Sequence, residues 1–242
     1  MLTLLAALWS GHELGDLAVL ALPVAAMPLL SLRLKRVFAQ TDAAHFPRRR
    51  VYVRSILAQW LLVVCIAVLW ITRHRPFHAL GLDVPPTPEG RAGLIVAAVA
   101  TVLLLGWVMR SLAKLDGDGR AKLLARLDAA KVAPRTRGEA MMFLPVSLTA
   151  GIAEELLYRG FLFWFLVPAA GLVAAVLASA AIFGLGHLYQ GWRGTLSTAG
   201  VGLMLGTLYA LSGSLWWIMA LHALIDLQYC IVGWKVAAWR AG

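Results

Sequence analysis

Glu154 and Glu155 are adjacent carboxylates inside an apolar stretch, and Arg159 stands one helical turn beyond Glu155. Two later apolar stretches carry His187 and the pair His222 and Asp226. A carboxylate that takes a proton from water, with imidazoles that polarise or donate, is the equipment of acid–base hydrolysis. Such groups are costly in hydrocarbon. Left unpaired, Glu154, Glu155, Arg159 and Asp226 would together cost on the order of 10 kcal/mol on insertion scales. Net stability of a typical domain is only ~5–15 kcal/mol. They must be paired, hydrated or both, and an intramembrane group of this kind is by default a functional site.

The spacings add detail. Glu155 and Arg159 are i, i+4 neighbours on one helix face and can neutralise each other. Glu154 is rotated about 100° from that face, so it is left to face a cavity as a general base. Phe183 and His187 repeat the i, i+4 spacing, as do His222 and Asp226. A carboxylate one turn from a histidine can fix its tautomer. Taken singly, each motif also reads as a structural contact: an ion-pair knot, a packing histidine, a helix hydrogen bond. Three spans of one bundle that each supply such groups point to a shared cavity.

Those groups need a membrane scaffold. The chain has 242 residues, 61% hydrophobic and 14% charged, against ~45–50% and ~25% for soluble domains. An all-α polytopic membrane bundle is expected, as one domain over residues 1–242. Seven apolar stretches are candidate spans: 14–32, 53–72, 92–110, 140–166, 169–188, 195–212 and 214–234. The net charge of +10 does not imply nucleic acid, because the basic residues cluster between the spans. With seven spans, eighteen Lys and Arg fall on one face and only Arg73, Arg75 and Arg91 on the other. The positive-inside rule then puts the N-terminus outside and the C-terminus in the cytoplasm, and the plasma membrane of a bacterium is the expected location. Leu115, Leu123, Leu124 and Leu127 repeat at helical spacing among charges. They predict either an amphipathic helix at the cytoplasmic interface or a plain solvated one. Cys65 and Cys230 lie within spans and read as core or lipid-facing residues.

The run Glu154-Glu155-Leu-Leu-Tyr-Arg159, then Phe183-Gly-Leu-Gly-His187, then His222-Ala-Leu-Ile-Asp226, resembles the three motifs of the CPBP family of CAAX prenyl endopeptidase-like (ABI) intramembrane proteases. The resemblance covers about Glu139 to Trp234 and implies that residues 139–234 are a catalytic core. It implies a helical membrane bundle that cleaves a membrane-anchored or lipidated peptide. It also implies roles: Glu154 activates water, His187 helps polarise it, His222 and Asp226 stand near the developing oxyanion, and Glu155 with Arg159 forms a supporting ion pair. Asp226 stands where many members carry Asn. An ionised carboxylate cannot donate to an oxyanion, so Asp226 must be protonated, orient His222 or bind a metal.

Rival chemistries remain. Zinc on Glu154, His187, His222 and Asp226 is chemically acceptable, although the usual HExxH motif is absent; His12-Glu13-Leu14-Gly15 is followed by Asp16. Metal-independent glutamate catalysis, with no cofactor, is the preferred expectation. A Ser214–His222 dyad is discounted, since eight helical residues separate its members by about 12 Å. Outside enzymology, a binding, immunity or assembly protein, or a proton-coupled carrier, could keep the same polar groups.

Overall fold

The computed structural model describes residues 14–83 and 86–240; His12 and Glu13 lie outside them. Within them the chain forms eight helices: α1 (Leu14–Gln40), α2 (Arg48–Thr72), α3 (Pro88–Ala113), α4 (Gly117–Ala130), α5 (Arg137–Ala170), α6 (Leu172–Leu185), α7 (Gly191–Ser212) and α8 (Leu215–Trp239). Six are long and apolar enough to cross a membrane, and the protein is an integral membrane protein with an all-α fold.

The helix ends follow from local chemistry. Thr87 caps α3 by accepting from Gly90 N, with Pro88 behind it in the first turn, where a proline forfeits no hydrogen bond. Thr136 and Glu139 form a reciprocal capping box at the start of α5. Asp116 caps α4. The leucines of α4 do not face outward as a group: Leu127 is buried, and with Leu123 and Leu124 it packs on Val236 and Trp239 of α8. The amphipathic pattern is thus used at least partly inside the protein.

Only 17% of the most apolar windows of α1, α2 and α3 is buried, against 50% for α5. The latter is the axis of the bundle, and the former present Leu57, Leu61, Val64, Val99, Val102 and Leu103 outward. That outward apolar surface is what lipid solvates. Cys65 is exposed and Cys230 half-buried, and both are free thiols.

Two departures from straight helix matter for the site. Helix α5 opens into a π turn over Leu156–Phe161, where Arg159 sits; such turns are frequent at functional sites. The fifth expected span, 169–188, is helical only over Leu172–Leu185, about 21 Å long and short of the ~30 Å hydrocarbon core. Gly171, at φ +79°, sets its start. The chain leaves the helix at Gly186, so His187 stands just past the helix end rather than on it, and Leu188–Gln190 makes a single 3₁₀ turn into α7.

Candidate active site

Glu154 lies 17 residues into α5, about 26 Å along its axis, deep between the helix ends. The adjacent Glu155 is fully buried. Its Oε1 accepts from Arg159 Nη1 at 2.8 Å and from His222 Nδ1 at 2.6 Å. One carboxylate oxygen therefore ties α5 to itself and to α8. Arg159, also fully buried, donates from Nη2 to the carbonyl of Gly202 on α7 at 2.7 Å, and its guanidinium lies 4.8 Å from the Phe183 ring centroid on α6. Three helices thus share one buried cation.

Helices α5 and α8 come close enough for this because of Gly151. A Cβ there would stand 2.7 Å from Met219 O and 2.8 Å from Ala223 N. Those are backbone atoms of the turn of α8 that carries His222, and only glycine fits against them. Gly202 plays a comparable part on α7, where a Cβ would meet Phe183 at 3.0 Å and Arg159 Nη2 at 3.4 Å. Gly202 is therefore a packing contact on the site itself.

With Nδ1 held by Glu155, His222 turns Nε2 towards two other carboxylates. Glu154 Oε2 is 4.0 Å away and Asp226 Oδ2 3.9 Å. Both distances exceed direct hydrogen-bond range. The side chains of Glu154 and Asp226 are 15% and 28% exposed, whereas that of His222 is 6%. The exposed side of the cluster is therefore the side carrying Glu154 and Asp226. Of the roles open to Asp226, fixing Nδ1 of His222 is performed by Glu155 instead.

His187 joins the group indirectly. Its Nδ1 donates to Phe183 O at 2.8 Å, which leaves Nε2 as its second functional nitrogen. Its ring lies 4.9 Å from that of Phe183, and Phe183 is 5.9 Å from the His222 ring in edge-to-face contact. Phe183 is thus a spacer between the two imidazoles. No hydrogen bond or ion pair joins His187 to Glu154, Glu155 or Asp226 among the described residues. Nor is any group of three or more His, Cys, Asp or Glu side chains there arranged to hold a metal ion.

Sequence reasoning missed Gln59. Its Nε2 donates to Glu154 Oε1 at 3.0 Å from α2, while its Oε1 is buried without a hydrogen-bond partner. The available signal was an uncharged amide in the middle of a strongly apolar span. Tyr158 and Ser179 add support behind the cluster: Ser179 Oγ donates to Tyr158 O at 3.0 Å, and Tyr158 packs edge-on against Phe183 at 4.9 Å.

The family model for type II CAAX prenyl endopeptidase Rce1-like proteins matches residues 136–228. That stretch runs from the cap of α5 into α8 and contains all six motif residues. No curated protein and no solved structure matches the chain.

Proposed function

We propose, from the match of residues 136–228 to the type II CAAX prenyl endopeptidase Rce1-like family model, that this chain is an intramembrane endopeptidase in which Glu154 activates water. The observation that carries the reading is the division of labour between two neighbouring glutamates. Glu155 is consumed by Arg159 and His222. Glu154 keeps one oxygen for Gln59 and turns the other towards His222 Nε2 across 4.0 Å. A single water bridges such a gap with hydrogen bonds of ordinary length, about 2.8 Å to each side.

In the proposed reaction Glu154 takes a proton from that water as its oxygen attacks the peptide carbonyl carbon. Protonated His222, held at Nδ1 by Glu155, donates Nε2–H to the tetrahedral oxyanion. The intermediate collapses, the C–N bond breaks, and Glu154 returns its proton to the leaving amine. Water is split between the two products and the site is restored. Protonated Asp226 is a second donor to the oxyanion, and His187 Nε2 orients water or the substrate backbone. The substrate is a membrane-anchored or lipidated peptide that approaches sideways through lipid, since the site lies deep between apolar helices.

The test is the Glu154→Gln variant in liposomes with a lipid-anchored, internally quenched peptide, after circular dichroism shows that the fold persists. Turnover should fall by about 10²–10⁴-fold, the usual range for loss of a general base. Undiminished turnover refutes Glu154 as the base. A chelator run in parallel decides the metal question: activity lost to the chelator and restored by one added metal ion would replace glutamate catalysis by metal-assisted hydrolysis.

A further inference from the structure

Read from the sequence, eighteen basic residues fall on one face, and one of them does something that topology does not require. Arg48, in the first turn of α2, is only 2% exposed. Its Nε donates to Ala133 O at 3.0 Å, and its Nη2 is buried without a hydrogen-bond partner. Arginines that merely orient a span keep their heads in water or headgroups. Arg48 instead lines a cavity of about 670 Å³ together with Arg135, Thr136, Arg137, Glu139 and Arg240. Arg135 Nε is likewise buried without a partner.

The charge in this cavity is not cancelled from within. Asp128 takes Arg135 at 3.0 Å and Arg240 at 2.7 Å. Glu139 is occupied in capping α5, accepting from Arg135 N and Thr136 N. Four guanidinium groups against these two carboxylates leave two positive charges in surplus. Arg137 is braced against Trp234, 5.3 Å from its ring centroid. Helices α2 and α5 both begin at the cavity, and helix N-termini favour anions. The C-terminus of α8 opposes them there but carries Arg240.

We propose that this cavity is a binding site for the phosphate group of an anionic lipid headgroup, gripped by Arg48 and Arg135 with Arg137 at its rim. Forked guanidinium donors match phosphate oxygens in pairs, and the unpartnered Nη2 of Arg48 and Nε of Arg135 are the donors such a group would satisfy. The cavity opens among the α1–α2 connection, the start of α5 and the end of α8, on the basic face where headgroups lie, and basic pockets between membrane helices suit anionic lipids. A soluble phosphate shares the same chemistry. The site stands apart from the glutamates and does not depend on the proposed reaction.

The experiment is native mass spectrometry of the full chain in detergent, titrated separately with phosphatidylglycerol, phosphatidylcholine and inorganic phosphate. One phosphatidylglycerol should bind per chain. Arg135→Gln and Arg137→Gln should each weaken it by about tenfold, the loss of one charge-assisted bond. Arg193→Gln, a basic change elsewhere, and Glu154→Gln should leave it within about twofold, well under the energy of one such bond. Arg48→Gln should abolish it, and the other two arginine variants keep the test valid if Arg48→Gln does not fold. Inorganic phosphate binding with the same arginine dependence, and no lipid adduct, would assign the site to a soluble phosphate compound. Equal binding of phosphatidylcholine, equal losses in Arg193→Gln, or no adduct in any arm overturns the proposal.

Discussion

Replacing Glu155 with Gln keeps the shape of the side chain and removes its charge. In the native cluster, Glu155 Oε1 accepts from Arg159 at 2.8 Å and His222 at 2.6 Å, with both Glu155 and Arg159 fully buried. A glutamine with its carbonyl in the place of Oε1 can still accept from both donors, but it brings no negative charge to the buried guanidinium. Arg159 would then keep only neutral partners: that carbonyl, the Gly202 carbonyl and the face of Phe183. Cation–π contact is worth up to about 2 kcal/mol when desolvated, too little to hold a buried guanidinium by itself. Removing one partner of a buried ion pair typically costs about 3–5 kcal/mol, a large share of the ~5–15 kcal/mol that separates folded from unfolded domains. We expect Glu155→Gln to lose that amount in apparent unfolding free energy in mixed micelles. Turnover per folded molecule should fall by about 10²-fold or more, because His222 loses the negative charge that pairs with its protonated, donating form. The double variant Glu155→Gln, Arg159→Met removes both charges. It should regain stability to within about 2 kcal/mol of the native chain without regaining turnover. A single variant within about 1 kcal/mol of native, or a double variant no more stable than the single one, would show that Glu155 and Arg159 are not coupled as described.

Two more expectations follow from neighbouring contacts. Gly151→Ala should destabilise by about 1–3 kcal/mol despite alanine's helix advantage of up to ~1 kcal/mol, because the added carbon meets backbone of α8 rather than a movable side chain. Gly106→Ala, on α3 with nothing within 4 Å, is the control, and equal midpoints for the two variants would contradict the close approach of α5 and α8. Gln59→Leu removes the donor to Glu154; kcat should drop by about tenfold with KM nearly unchanged. Parallel changes in both constants would reduce Gln59 to a packing residue.

The parts of the site that lie within one turn of helix were legible in the sequence. Glu155 and Arg159 meet because i, i+4 neighbours on a helix must, and they are found at 2.8 Å. The membrane class and the helical fold were equally legible, since long apolar stretches leave a backbone few alternatives to helix. The short α6 was not: hydropathy measures how far an apolar stretch runs, whereas the helix begins where Gly171, at φ +79°, lets the chain turn and ends at Gly186.

Residue types and spacing determined that this chain is a membrane bundle carrying a buried carboxylate–imidazole set, because burying charge in hydrocarbon without partners is too costly to be incidental. Only the tertiary structure decided which carboxylate serves which partner. The Glu155–His222 bond joins residues 67 apart and the Gln59–Glu154 bond residues 95 apart. No local periodicity encodes either. The first exists because Gly151 lets α5 and α8 approach to backbone contact, and for both the direction in which a side chain points between helices is set by packing of whole helices.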